Sequence, residues 1–176
     1  NRILKLMGRR YTKEEYKELY QKMKERIPNV AITTDIIVGF PGETESDFES
    51  TLDIVESCQF DGAFTFIFSP REGTPAAKMQ DDTPLKEKEE RLKRLNERVN
   101  HYSRLNNEKL LGQTVPVLIL GQSEKDASKV YGYTDTMKLV NVEAPRETIG
   151  KIIMVEITDA KSFSLDGKAK EPMEVS

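Results

Sequence analysis

At 176 residues the chain is long enough for one or two domains with a buried core, and 32% charged residues, 37% hydrophobic residues and no Trp describe a surface-rich protein. No apolar run approaches the ~20 residues of a spanning helix, the start Asn1-Arg2-Ile3-Leu4-Lys5 reads as neither signal peptide nor natural initiator, and a single cysteine, Cys58, excludes an internal disulfide and a cysteine-only metal cluster. These features predict a cytoplasmic chain with no membrane contact that begins inside something larger, and a net charge of −3 advertises no nucleic-acid binding while leaving room for a local basic stripe.

Thr12 followed by Glu15 is a capping box, and Tyr16, Leu19, Tyr20, Met23 and Ile27 recur at helical spacing until Pro28, which predicts one covering helix. Thr34-Asp35-Ile36-Ile37-Val38-Gly39-Phe40-Pro41-Gly42-Glu43-Thr44 then reads as strand, tight turn and helix start. Ile36 to Val38 favour an extended, buried backbone. Gly39 and Gly42 permit close approach and positive φ, and Thr44 with Asp47 can cap the next helix. At the carboxyl end of a buried parallel strand, unpaired backbone groups and a helix amino end face one crevice, which suits a polar, partly anionic small molecule. An ordinary βα turn is the plainer reading of the same residues.

Phe48, Thr51, Leu52 and Val55 stripe a second helix with Cys58 at its end, and Ala63 to Phe68 form an aromatic-rich strand that stops at Ser69-Pro70-Arg71-Glu72-Gly73-Thr74-Pro75. Helix, strand, helix, strand implies right-handed parallel crossovers. Two strands alone leave an α/β unit incomplete, half a barrel whose open edge needs partners. Thr83-Pro84 opens a long third helix, with Leu85, Leu92, Leu95, Val99, Tyr102 and Leu105 on one face up to Gly112. Its charge run, Lys86 to Arg91 with Lys93 and Arg94, reads as a solvated face, because opposite signs three and four residues apart support the helix.

From Gly112 the character changes. Val115 to Leu120, Val130 to Tyr133, Leu139 to Val142, Ile152 to Ile157 and Phe163 to Leu165 are short apolar runs between polar or glycine turns, and they predict a small antiparallel all-β barrel. The domains are accordingly 1–111 and 112–176. Small barrels often bind single-stranded or looped nucleic acid with aromatics and scattered cations, for which Lys129, Tyr131, Tyr133, Lys138, Asn141 and Lys168 are the candidates. Residues 112–176 carry eight Lys and Arg against ten Asp and Glu, so a structural or protein-binding barrel fits the charge equally well. Cys58 reads as a small buried hydrophobe and His101 as a surface histidine without ligand-spaced companions, and neither enters the site.

Asp35 to Thr44, Ala63-Phe64-Thr65-Phe66-Ile67-Phe68-Ser69-Pro70-Arg71-Glu72-Gly73-Thr74-Pro75-Ala76-Ala77 and Glu90-Arg91-Leu92-Lys93-Arg94-Leu95-Asn96 together resemble the radical S-adenosylmethionine methylthiotransferases, above all the MiaB type, over essentially the whole chain. The resemblance implies an α/β fold: part of a (β/α) radical barrel up to residue 111, then a TRAM domain, an OB-like RNA-binding module. Gly132 to Val140 and Ser164-Leu165-Asp166-Gly167 stand where that module's signatures lie. It further implies transfer of a methylthio group to C2 of an isopentenylated adenosine beside a tRNA anticodon, with S-adenosylmethionine and two 4Fe-4S clusters in the full-length enzyme. Cleavage of S-adenosylmethionine to a 5′-deoxyadenosyl radical would open the way to sulfur insertion.

By the same resemblance, Ile37, Gly39, Phe40 and Pro41 line the adenine and its sugar, and Ser69 and Arg71 end the next strand, where a guanidinium can meet a carboxylate or phosphate. A salt bridge from Arg71 to Glu72 or Glu43 is the alternative. The chain departs from the family in four places. Asp35 replaces the first glycine of the S-adenosylmethionine motif, and Glu43 falls one place late. Tyr133 and Asp166 stand where basic residues are usual, although Tyr133 can stack instead.

The three-cysteine motif that holds the radical-generating cluster is absent from the 176 residues, so this chain is expected to carry no cluster and to be inactive alone. Its expected partners are the missing amino-terminal half of the same protein and the tRNA anticodon stem-loop. The alternatives are a noncatalytic RNA-binding module and the related methylthiotransferase that acts on a ribosomal protein.

Overall fold

The structure, a computed structural model, describes residues 1–174, with side chains through Lys170. Two compact units divide within a long helix, one spanning Asn1–Asn100 and the other running from His101 onward.

In the first unit, helices α1 (Arg2–Leu6), α2 (Lys13–Arg26) and α3 (Glu45–Cys58) and the start of α4 (Leu85–Glu108) accompany two strands, β1 (Thr33–Val38) and β2 (Gly62–Ile67). Both predicted capping boxes form: Thr12 with Glu15 starts α2 and Thr44 with Asp47 starts α3. β1 and β2 pair in parallel, from Thr33 opposite Gly62 to Val38 opposite Ile67, with α3 as the crossover. One face of this sheet is covered. Thr34 bonds Tyr16 at 2.8 Å, Thr65 donates to Asn96 at 2.5 Å, and Val38, Phe48, Val55, Phe60 and Leu95 are buried.

The other face is open, as the incomplete two-stranded unit implies, although Ile36 to Val38 read as a buried strand. Asp35 and Ile37 alternate outward beside Phe64 and Phe66, which are 64% and 52% exposed. Helix periodicity also needs correction. Leu19 and Ile27 of the predicted α2 stripe are exposed, as are Leu85 and Leu105 of α4. Leu95 and Val99 of the predicted α4 stripe are buried, and beside them the helix buries Lys88, Arg91, Ser103 and Asn107. Two members of the supposed solvated charge run therefore lie inside, held there by the ion pairs and packing described below.

The second unit is a closed five-stranded barrel of β3 (Thr114–Gln122), β4 (Val130–Thr134), β5 (Leu139–Glu143), β6 (Ile152–Ala160) and β7 (Leu165–Glu174), ordered β3-β4-β5-β7-β6. It is mixed rather than antiparallel: β5 and β7 run parallel, Val140 opposite Leu165. The correction has a geometric cause, since strand direction cannot alternate all the way round a closed ring with an odd number of strands. The core is Val117, Ile119, Val140, Val142, Ile153, Val155 and Leu165, each fully buried. Gly132 lets β4 approach β3 closely, for a Cβ there would stand 2.0 Å from the Leu118 carbonyl oxygen. Phe163, expected in the fifth strand, is instead 77% exposed in a turn closed by Lys161 N–H donating to the Ser164 carbonyl.

Candidate functional sites

β1 ends on a turn whose shape follows from its sequence. Gly39 and Gly42 adopt φ of 70° and 79°, where a side chain is disfavoured. Glu43 N–H donates to the Phe40 carbonyl at 2.9 Å, and Phe68 N–H to the Val38 carbonyl at 2.8 Å, tying the turn to the end of β2. The Glu43 side chain folds back over the turn. Its Oε1 accepts from Gly39 N–H at 3.1 Å and from Arg91 Nη1 at 3.1 Å, and Arg91 Nη2 donates to Glu87 at 2.5 Å. Burial pushes the Glu43 carboxyl up from its usual range, against the lowering pull of the Gly39 amide and the Arg91 charge. Lys88 covers the glycine: a Cβ on Gly39 would lie 2.7 Å from the Lys88 Cγ and Cδ, while the ammonium pairs with Asp81.

Four of the six predicted ligand residues, Ile37, Gly39, Phe40 and Pro41, lie at this turn or lead into it. Ile37 sits on the open sheet face opposite Phe66 and is 38% exposed. Gly39, Phe40 and Pro41 are buried, and the Phe40 ring packs edge-on against Phe68 at 5.0 Å. Ser69 and Arg71 follow β2 and are exposed, and Arg71 has no ion pair among the described residues, since Glu43 is occupied by Arg91. Lys88 and Arg91 were not anticipated as parts of the site, and Glu43 entered only as a displaced motif residue or a partner for Arg71. For the two helix residues the only signal was a charged stretch indistinguishable from a solvated one. A cavity of about 210 Å³ also lies along β1, lined by Leu4, Met7, Tyr16, Ile36 and Ile54.

On the barrel, strand alternation turns Tyr131, Tyr133, Asn141 and Lys168 to the outer face while Val130, Gly132, Val140, Val142 and Gly167 point inward. Tyr131 pairs across to Asn141, which pairs to Asp166. The Tyr131 ring lies over Gly121, where a Cβ would stand 2.9 Å away. Lys168 is exposed and 3.6 Å from Glu143. Lys129 stands at the opposite end of β4 from Lys138, so the six candidates do not form one patch. Lys138 donates to Asn107 Oδ1 at 2.7 Å, and Asn107 in turn donates to the Lys161 carbonyl at 2.7 Å. Asp166 holds Lys161 at 2.7 Å, and the bond raises the Lys161 pKa. Asn107 and Lys161 were not foreseen, because an Asn in a last helical turn carries no distinctive pattern.

An open sheet face with exposed Ile37, Phe64 and Phe66 beside a backbone turn suits a flat, apolar heterocycle with a polar sugar, and so fits the adenosyl part of S-adenosylmethionine. An iron-sulfur cluster is different. Cys58, the single cysteine of the sequence, is buried at the end of α3, and no group of three or more His, Cys, Asp or Glu able to hold a metal exists among the described residues. The residues present do not fit a three-thiolate cluster.

Residues 1–55 match the Radical SAM superfamily and residues 108–170 match the TRAM domain. The chain is 55% identical over 174 residues to the tRNA-2-methylthio-N(6)-dimethylallyladenosine synthase of Bacillus cytotoxicus, covering 98% of this chain and 34% of that protein. It is 52% identical over 174 residues to the synthase of the same name from Staphylococcus aureus strain JH9, covering 99% of this chain and 34% of that protein. It thus spans about a third of the length of the curated relatives it matches. The β1 turn falls in the first matched span and the closed barrel in the second, and over nearly its whole length the chain is similar to one part of the radical S-adenosylmethionine tRNA methylthiotransferases.

Proposed function

We propose that this chain acts within a longer enzyme that transfers a methylthio group to C2 of an isopentenylated adenosine next to a tRNA anticodon. Its first unit positions S-adenosylmethionine, and its barrel holds the RNA. The observation that carries the reading is the open face of the β1 and β2 sheet ending on the Gly39 turn. Bound at this turn, S-adenosylmethionine would supply the radical chemistry of the reaction, and the residues of this chain would hold its adenosyl part.

The residues of this chain do the binding. Ile37, Phe64 and Phe66 offer apolar contact to the adenine, the turn from Gly39 to Pro41, whose Gly39 N–H and Phe40 carbonyl are already bonded to Glu43, offers its remaining backbone groups to base and sugar, and Arg71 offers a guanidinium to a carboxylate or phosphate. The thiolates for the clusters come from outside these residues, so the chain by itself is inactive. The family contact with the anticodon stem-loop falls to the outer face of β4, β5 and β7, where Tyr131 and Tyr133 can stack on splayed bases.

Anaerobic assay of the full-length enzyme on tRNA bearing the isopentenylated adenosine, read by nucleoside mass spectrometry, tests the reading. Formation of the 2-methylthio nucleoside is expected. Product that appears on a ribosomal protein and not on tRNA would move the assignment to the related enzyme. A closed barrel complete in itself favours a second reading, an RNA-binding module, distinguished by full RNA affinity in this chain alone.

A further inference from the structure

Arg91 is 3% exposed in its side chain, within a helix stretch that is otherwise mostly solvated. Its Nη1 donates to the Glu43 carboxylate at 3.1 Å and to the Glu43 carbonyl at 3.2 Å. A single guanidinium thus grips both the side chain and the backbone of the residue that closes the Gly39 turn. The carboxylate oxygen it holds, Oε1, is the one that accepts from Gly39 N–H. Arg91 Nε makes no hydrogen bond and lies 3.5 Å from Glu45, whose carboxylate also receives Arg94 at 2.6 Å.

A buried ion pair is seldom the most stable way to fill a volume, since two apolar side chains of the same size often do as well or better. An arginine with an unsatisfied buried nitrogen is poorer still. What the pair does achieve is placement. It fixes the acceptor for one backbone amide, at a residue with φ of 70° that the Lys88 stem leaves no room to shift toward.

We propose that Arg91 is a positioning residue for the adenosyl group: through Glu43 it sets the Gly39 amide and the Gly39 to Pro41 backbone beside Ile37. The inference rests on S-adenosylmethionine binding at this turn, as proposed above. The test uses the full-length enzyme, with calorimetric binding of S-adenosylmethionine and of 5′-deoxyadenosine, which lacks the methionine contacts. Selective glycine labelling follows the Gly39 amide resonance, and the melting of the barrel serves as the control.

Arg91→Met and Glu43→Met are expected to weaken both ligands about tenfold, because each leaves the Gly39 amide without a fixed acceptor. Glu43→Gln keeps an oxygen that accepts from Gly39 and should stay within about threefold of wild type, with Arg91→Lys between. The Gly39 resonance should move in the two Met variants before ligand is added, while barrel melting stays unchanged. Affinity in Arg91→Met equal to that of wild type overturns the inference. Should the Met variants fail to fold, the conservative pair decides: a Glu43→Gln loss of tenfold or more overturns it. A wild-type enzyme that binds neither ligand removes the site reading itself, an outcome distinct from selective loss in the variants.

Discussion

Asp47 serves both its own helix and a distant side chain. It accepts from the Thr44 amide and hydroxyl at 2.8 Å each, capping α3, and it pairs with Arg2. Burial pushes the Asp47 carboxyl up, but the Arg2 guanidinium and the Thr44 donors outweigh it and hold the pKa at about 2. Because the folded value lies below that of an unfolded aspartate, the ionised group stabilises the first unit at neutral pH. That contribution drains away as pH falls from about 4 through about 2. Asp47→Asn should cost on the order of 1–2 kcal/mol at pH 7 and almost nothing near pH 2. Urea unfolding at the two pH values measures the difference, and equal midpoints at pH 7 would remove Asp47 from the stabilising groups. In the barrel the corresponding single residue is Gly132. A methyl 2.0 Å from a backbone oxygen has nowhere to go, so Gly132→Ala should destabilise that unit by ~3 kcal/mol or more, read as a fall in melting temperature.

Among the elements, α4 is the one whose two ends do different work. Its first four turns bury Lys88, Arg91, Leu95 and Val99, and its last turns offer Ser103 and Asn107 to the 161–162 turn: Ser103 Oγ donates to the Ser162 carbonyl at 2.6 Å and Asn107 to the Lys161 carbonyl at 2.7 Å. Ser103→Ala and Asn107→Ala should each lower barrel stability by about 1 kcal/mol, since each removes one side-chain hydrogen bond to the turn. Thermal melts of the single and double variants check this, and a double variant as stable as wild type would show the contacts to be dispensable.

The helix also shows what a sequence can and cannot reveal. Its extent was readable from Thr83-Pro84 and the leucine spacing, as were the two capping boxes, both parallel strands and the Gly39 turn. Which face it buries was readable only in part, through Leu95 and Val99. Apolar periodicity points to Leu85 and Leu105, whereas the buried stripe is chosen by partners 48 to 59 residues away in sequence, Glu43 for Arg91 and the 161–162 carbonyls for Asn107 and Ser103. The same holds at the site. Ile37 and Gly39 could be found from local pattern, while Arg91 and Lys88 join it only through long-range pairing that no local period encodes.

For the molecule as a whole, RNA affinity is the property in which both the barrel surface and its charge are tested. With Lys129, Lys138 and Lys168 spread over separate ends and Lys138 already bonded to Asn107, few cations can reach phosphate. The logarithm of stem-loop affinity against the logarithm of salt should have a slope of about −2 or shallower, near −0.7 per contact on single-stranded RNA. Lys138→Glu should weaken binding, and filter binding at several salt concentrations reads both. A steep slope would place more cations in the contact than the barrel face offers, and equal binding by Lys138→Glu would remove Lys138 from it.

The odd-membered ring has a consequence for how the protein fails. Among the described residues β7 joins β5 to β6, in parallel on one side and antiparallel on the other. Loosening it would uncover two strand margins at once, one suited to each direction of approach, so that a neighbouring molecule could be accepted whichever way its own segment ran. Gly167→Ala, whose added carbon would stand 2.5 Å from Val155 Cγ1 and 2.7 Å from the Glu156 carbonyl oxygen, is therefore a variant whose defect should grow with protein concentration. Dilute samples would stay monomeric and concentrated ones would form intermolecular β-structure, visible by light scattering, whereas Asn107→Ala would melt alike at both.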